Sequence, residues 1–375
     1  MANLLLDRAQ LDIRAEGEAL ALYEAGQRRG TVPVKLVDRC VIHGAQTRLD
    51  TGVLIKLAEA GATTVLMSPR QGRRIAIVLG PWHNDAAVRL AQAARVMDDP
   101  WSGGWARALV RAKLARQART LRTLLAQRPD ARKPLFDALS QIDRALRELP
   151  PPQADRAGAT SAREVAAEEA APPALHRLRG IEGAAARAYF GGLAGVMPSA
   201  LGFAGRNRRP PRDPVNAGLS LAYTLLHAQA VQACGSAGLD PLLGFYHRPA
   251  FGRESLASDL IEPLRPAIDL WLWELLRART LREEHFTLDK GACLLGKAGR
   301  SIFYAAWEAA AAPWQRWLRA QTRQLAAALR GQGEPWLERP DLAEEPCCAP
   351  APPHGCAGCW PTTSPTSAGW GGCTG

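Results

Sequence analysis

The chain has 375 residues, room for two or three domains of ordinary size, and its 47% hydrophobic and 22% charged make-up is that of a globular protein able to bury a core. Lys and Arg number 47 against 36 Asp and Glu, and the resulting +11 points to a polyanionic partner, nucleic acid first and a membrane surface second. No uninterrupted run of about 18 apolar residues argues for a membrane span, and the opening Met1–Asp7 lacks the basic flank and apolar length of a secretory signal, so the expected compartment is the cytoplasm.

Residues 1–84 read as a small β domain. Leu11 and Ile13, then Leu20 and Leu22, alternate with polar neighbours, the period of a half-buried strand. Glu24–Gln27 reads as a turn before Thr31–Val34, and Val41–Ile42, Thr64–Met67 and Ile75–Leu79 are apolar runs of strand length. Between them Asp50 or Thr51 can cap a short helix carrying Val53, Leu54, Leu57 and Ala58. The period then lengthens. Ala86–Met97 reads as a helix, and a basic helix follows from about Trp105. Between Trp101 and Lys133 lie nine basic residues, Lys113 and Arg116 among them, and one acid, Asp130. That asymmetry fits either a solvated face on a core helix or a phosphate-contacting face.

Residues 150–173, opened by Pro150–Pro152 and closed by Pro172 and Pro173, read as a mobile insertion. Helical periodicity resumes at Leu175 and continues to about Arg330. The 341–375 tail is rich in Pro, Gly and Cys and is expected to be disordered. Cys40, Cys234 and Cys293 are isolated thiols, not a disulfide framework. The other five cysteines crowd the tail, where Cys356 and Cys359 have zinc-knuckle spacing with Cys347, Cys348 and His354 nearby. The fold class expected is α+β: a sandwich-like N-terminal β domain followed by a larger all-α catalytic domain spanning 85–340.

Three segments carry candidate chemistry. In Leu178–Phe190, glycines bracket Glu182 near an expected helix start, where the helix dipole favours a carboxylate and Gly183 leaves room beside it. In Phe203–Ala217, Arg206, Arg208, Arg209 and Arg212 fall within seven residues stiffened by Pro210, Pro211 and Pro214, a basic loop suited to a phosphate backbone, and Asp213 is placed to cap the helix that follows. In the third, His247 lies in a loop between Gly244 and Pro249. Asp259 and Glu262 then share a helix face, with Arg265 placed to orient Glu262. A histidine with carboxylates suits a divalent ion held mostly by oxygen, Mg²⁺ or Mn²⁺.

In this order the segments resemble the signature of the CRISPR-associated Cas1 family of adaptation endonucleases and integrases. The matching strings are Gly180-Ile-Glu-Gly-Ala-Ala-Ala-Arg187 with Tyr189-Phe190, and Arg208-Arg-Pro-Pro-x-Asp-Pro-x-Asn-Ala217 with Tyr223. They continue with Gly238-Leu-Asp-Pro-x-x-Gly-Phe-x-His247 and Ser258-Asp-Leu-x-Glu-Pro-x-Arg-Pro266. Weaker matches reach the N-terminus, with Val32-Pro-Val-Lys35 and a strand end at Gly44.

The resemblance implies a cytoplasmic prokaryotic enzyme that joins protospacer 3′-hydroxyls to repeat phosphodiesters of a CRISPR array. It implies double-stranded DNA as partner, dimerisation through the β domain, and a heterohexamer of two homodimers on a small Cas2 dimer, with no membrane. It implies Glu182, His247 and Glu262 as catalytic metal ligands and Asp259 as an auxiliary carboxylate, either behind the ligands or a weak ligand itself. The DNA contacts expected are Arg187, Tyr189, Arg206, Arg208, Arg209, Arg212, Asn216 and Arg248. The alternatives are a metal-dependent DNA nuclease without integration and a non-catalytic basic DNA-binding protein.

Overall fold

A computed structural model describes residues 2–7, 10–43, 46–68, 74–78, 83, 85–149, 174–207, 210–289 and 291–337. The 150–173 insertion, the cysteine-rich tail, Gly44, Arg208 and Arg209 lie outside the described residues.

The N-terminal region is two four-stranded sheets. Strands β2 (Leu11–Glu16), β3 (Ala19–Glu24) and β4 (Gln27–Pro33) form an antiparallel meander, with the short β6 (Arg48–Leu49) parallel to β2. In the second sheet, β1 (Ala2–Leu6), β5 (Val37–Ile42) and β7 (Thr63–Met67) run parallel, and β8 (Arg74–Val78) is antiparallel to β7. Helix α1 (Thr51–Glu59) precedes β7, and Asp50 caps it by accepting the Gly52 N–H at 2.9 Å.

Strand β5 is buried on both faces, as a central parallel strand must be. Cys40 and Ile42 join Ile13, Leu20 and Leu57 in a small core between sheets and helix. Val41, with Val65 and Met67, faces the other way into the core of the helical region. The two regions therefore share packing, and residues 1–335 form one compact unit. Polar pairs pin the seam: Arg300 Nε lies 2.7 Å from Asp7 Oδ2, and His43 Nδ1 lies 2.6 Å from the Tyr304 hydroxyl.

The helical region comprises α2 (Ala86–Met97), α3 (Asp99–Gln127), α4 (Arg132–Glu148), α5 (Ala174–Ala194), α6 (Pro214–Ser236), α7 (Ser255–Ile261), α8 (Arg265–Arg277) and α9 (Lys297–Gly333). Helix α6 is apolar around its whole circumference and nearly all of it is buried, which makes it the central helix. Asp213 caps it, accepting the Asn216 N–H at 2.8 Å, and Pro214 occupies the first turn, where no N–H is needed.

Three expectations need correction. The helical region is not all-α: β9 (Phe286–Asp289) and β10 (Ala292–Leu295) form a hairpin before α9. The basic helix starts earlier than expected, at Asp99, with Asp98 as its cap. Helix α5 begins at Ala174, so Glu182 is well inside it and beyond the first turn over which the dipole acts.

Candidate active site

Four elements supply the candidate site: they bring the two expected glutamates onto one cation, with the expected histidine nearby. Glu182 comes from the middle of α5. Glu262 follows α7, in the single 3-10 turn Glu262–Leu264 that links it to α8. His247 stands on the loop between α6 and α7. The fourth element is α3, which contributes Lys113.

The Lys113 ammonium bridges the two glutamates: it pairs closely with Glu182 and lies 2.6 Å from Glu262 Oε2. All three side chains are largely buried, at 10% exposure for Lys113, 19% for Glu182 and 6% for Glu262. Arg265 Nη1 approaches Glu262 from the other side, 3.3 Å from Oε1. Burial alone would push the Glu262 carboxyl up, but Arg265, Lys113 and the nearby His247 outweigh it and hold the pKa at about 2. Burial likewise opposes charge on Lys113, and Glu262 and Glu182 overcome it, so its pKa is raised. The Lys113 ammonium is the only partner of buried Glu262 Oε2 among the described residues.

The histidine loop is built from the backbone outward. Asp259, fully buried on α7, accepts the Phe245 and Tyr246 N–H groups on Oδ2 at 2.9 and 3.0 Å, and the His247 N–H on Oδ1 at 2.9 Å. His247 Nδ1 is 2.6 Å from the same Oδ1. With that oxygen as acceptor, the proton sits on Nδ1 and leaves Nε2 as a bare lone pair. Nε2 has no hydrogen-bond partner among the described residues. Burial raises the Asp259 pKa, with His247 and the backbone N–H groups opposing it.

The loop is anchored at three further points. Buried Gln92 on α2 donates to the carbonyls of Asp240 and Leu243 at 2.9 and 2.8 Å and accepts the Asp240 N–H. Phe245 meets Trp101 and Trp105 edge-on, at centroid distances of 4.8 and 5.0 Å. Arg248 donates to the Val96 carbonyl at 2.5 Å and pairs with Asp99, tying the loop to the α2–α3 junction.

A second buried cluster supports the site from behind. Tyr189 on α5 and Tyr223 on α6 both donate to Asp269 on α8, Tyr189 at 2.9 Å to Oδ2. Burial lifts the Asp269 pKa to about 6 against the pull of the two hydroxyls. Arg265, the partner of Glu262, lies over the Tyr223 ring at 4.9 Å. This cluster and the acidic pair therefore share one guanidinium.

Of the expected DNA contacts, Arg187 and Arg212 are exposed. Tyr189 and Asn216 are buried with their polar atoms engaged, so a direct DNA contact by either does not fit this structure. Tyr189 bonds Asp269, and Asn216 links Asp213, Gly205 and Arg206. Arg206 folds inward, donating to Asn216 Oδ1 and the Asn207 carbonyl, both at 2.6 Å, and to Ser220 Oγ at 3.1 Å. Several α3 cations are also engaged: Arg116 lies over the Trp317 ring, and Arg122 pairs with Asp143.

Among the described residues, no group of three or more His, Cys, Asp or Glu side chains lies close enough together to hold a metal ion. The two glutamates meet instead on an ammonium. Two observations still fit a divalent ion there: two carboxylates converge on one cation position, and His247, held by Asp259 through Nδ1, has no hydrogen-bond partner on Nε2 among the described residues. Asp259 has both oxygens engaged within the loop and serves to orient the imidazole.

This arrangement defines a class: a paired-sheet β region packed on a helical body whose centre holds an acidic pair and a carboxylate-tethered histidine. The family model for "CRISPR associated protein Cas1" matches residues 4–309, and the chain belongs to the Cas1 family. A relative in Thermodesulfovibrio yellowstonii, named CRISPR-associated endonuclease Cas1 1, is 33% identical over 344 residues, covering 91% of this chain and 99% of its own. The fold is shared with a solved Cas1 protein from Thermotoga maritima, at a TM-score of 0.71 and 21% identity over 88% of this chain and 97% of that one. It is also shared with a casposase bound to an integration product, at a TM-score of 0.71 and 20% identity over 89% and 92%.

The site residue that sequence reasoning missed is Lys113. It was visible only as one of nine like charges. The distinguishing signal is its position: it is the α3 cation that falls among the buried Leu109, Leu114 and Gln117.

Proposed function

We propose that this chain is a divalent-cation-dependent DNA endonuclease and integrase of CRISPR adaptation. The observation that carries the reading is the meeting of Glu182 and Glu262 on one cation position, with the Asp259-tethered His247 nearby, in a member of the Cas1 family. The relative's name, an endonuclease, and the fold shared with a casposase caught with its integration product support it. Glu182 and Glu262 would supply the charge and His247 the directional nitrogen that hold Mg²⁺ or Mn²⁺. When bound, the ion offsets the negative charge that builds as an oxygen nucleophile approaches an anionic phosphate.

The chain's own groups do the positioning. Asp259 keeps the His247 proton on Nδ1. Arg265 fixes Glu262 from behind and couples its orientation to the tyrosine–aspartate cluster. Exposed Arg187 and Arg212 meet phosphates. In the joining reaction a 3′-hydroxyl of the captured DNA forms a bond to phosphorus. The repeat's own ester bond breaks, and its departing oxygen takes up a proton. One phosphodiester replaces another, so no enzyme-bound covalent intermediate is required. Water in place of the hydroxyl gives cutting at the same site.

The partners follow the family resemblance: a homodimer joined through the β region, a small Cas2 protein completing a heterohexamer, and double-stranded protospacer and repeat DNA. The proposed compartment is the prokaryotic cytoplasm, and among the described residues no helix is long and apolar enough to cross a membrane.

The test is a joining assay on a supercoiled repeat-bearing plasmid with a 3′-hydroxyl duplex, run with Mn²⁺ and again with EDTA. Joined product with Mn²⁺ alone, lost in Glu182→Ala, His247→Ala and Glu262→Ala variants that still fold and bind DNA, is expected. Cutting without joining selects the simple nuclease. Metal-independent binding with neither reaction selects a DNA-coating protein.

A further inference from the structure

The position between Glu182 and Glu262 already holds a cation, and it is covalently part of the chain. Two carboxylates from separate helices, largely shielded from water, would repel each other and favour protonation or separation. The Lys113 ammonium prevents that. It reaches the pair from α3 and contacts both acids. We propose that Lys113 is a displaceable stand-in for the divalent cation, seated between the two glutamates until the ion arrives and expels it.

This inference rests on the metal reading above and adds a competition to it. An ammonium and a divalent ion cannot share one gap between two carboxylates, because their mutual repulsion at contact distance is strong in a partly dry site. The ion must therefore move the lysine. The geometry allows it. Lysine carries its charge on a flexible four-carbon stem, and no hydrogen bond holds the Lys113 ammonium other than its contacts with the two acids among the described residues. Arg265 stays behind Glu262 throughout, so the acid keeps its aim when the lysine leaves.

Two consequences follow. The metal-free site is held assembled, its two negative charges offset by Lys113 and Arg265 together, with its acids already at the separation a single cation enforces. The apparent affinity for the ion is also lowered, since each binding event breaks two ion pairs.

The experiment measures Mn²⁺ binding by titration calorimetry on the full chain without DNA, at fixed pH and ionic strength. Lys113→Met and Lys113→Gln are expected to bind Mn²⁺ about tenfold tighter than the wild type or better, about 1.4 kcal/mol, and Glu262→Gln to bind weakly or not at all. On the wild type alone, acetylation of Lys113 by acetic anhydride, read by mass spectrometry, is expected to run faster with Mn²⁺ present, which decides the matter if the variants do not fold. Equal or weaker Mn²⁺ binding by folded variants, or acetylation that is unchanged or slowed by Mn²⁺, makes Lys113 a fixed structural cation and overturns the inference while the metal reading stands. Absence of Mn²⁺ binding in the wild type and both variants removes the metal reading and this inference with it.

Discussion

Asp259 Oδ1 lies 2.6 Å from His247 Nδ1 while also accepting the His247 backbone N–H at 2.9 Å. One oxygen thus fixes the histidine twice, by its ring and by its backbone, and the other oxygen holds the two residues before it. In Asp259→Asn one acceptor becomes an N–H₂ group, so at least one donor in the loop loses its partner, at about 1–3 kcal/mol. The imidazole also loses the group that sets its tautomer. Expected outcomes are a lower melting temperature by calorimetry and Mn²⁺ affinity reduced by about 10–100-fold. Unchanged affinity in a folded variant would show that His247 needs no such tether.

Gly244 is required by space rather than by backbone angle. A Cβ there would stand 2.6 Å from the Ser255 carbonyl carbon and 2.7 Å from the His247 carbonyl oxygen. Both are backbone atoms, so neither can turn aside. Gly244→Ala is expected to destabilise the fold by about 1–3 kcal/mol through overpacking and to move the His247 loop off α7. Denaturant unfolding reads the first effect. A fall in joining rate beyond what the loss of folded protein explains reads the second.

The sequence and the structure agree best where local chemistry decides. Asp50 and Asp213 are legible as caps because a short acceptor before a helix has one common use, and alternation at Leu11, Ile13 and Leu20 marks strands that bury one face. Motif resemblance singles out Glu182, His247 and Glu262, and Glu182 sits deeper in its helix than glycine punctuation suggests. What could not be read is long-range geometry. Lys113 and Glu182 are distant in sequence, and helical spacing from Leu109 and Gln117 marks Lys113 as inward-facing without showing which acids it meets. Arg206 and Asn216 look like surface groups in a basic loop, yet the Asp213 cap turns both into internal partners. The Phe286–Leu295 hairpin was hidden because its strands are only four residues each, too short for a period to register.

Glu262 gives the metal-free protein a defined weakness in acid. Its folded pKa of about 2 lies below the ordinary 4.5. The stability it contributes is therefore complete above about pH 4.5 and is lost as pH falls toward 2, with an upper bound of about 3 kcal/mol from the shift. Glu262→Gln should abolish this part of the acid dependence. It should also lower stability at neutral pH by up to about 3 kcal/mol, because Lys113 and Arg265 are left facing a neutral amide. Unfolding curves at several pH values check both, and parallel profiles for the two proteins would refute the assignment.

His43 ties the β region to α9 in its neutral form. Its Nε2–H donates to the Ser68 carbonyl at 2.9 Å, and Nδ1 accepts the Tyr304 hydroxyl proton at 2.6 Å. Burial, then Arg300, lowers its pKa, against Asp7. A histidine with a lowered folded pKa takes its proton first in the unfolded chain, so stability falls as pH drops below about 6.5. His43→Gln is expected to lose that slope. A melting temperature that falls equally in both proteins between neutral pH and pH 5.5 would place the acid sensitivity elsewhere.

Arg187 and Arg212 separate DNA contact from internal bonding. Both are exposed, one on α5 beyond Glu182 and the other just before the Asp213 cap, whereas Arg206 is committed to Asn216 and Ser220. If the exposed pair meets phosphates, Arg187→Ala and Arg212→Ala should each weaken binding to any duplex and reduce the slope of log affinity against log salt by about 1. Arg206→Ala should instead lower stability, because the Asn216 carbonyl loses its guanidinium donor. Anisotropy titrations of a labelled duplex in EDTA, between about 50 and 200 mM salt, distinguish these effects. An unaltered slope in both surface variants would move the nucleic-acid path away from this face, leaving Arg111 and Arg119, two of the exposed cations of α3, as the next residues to replace.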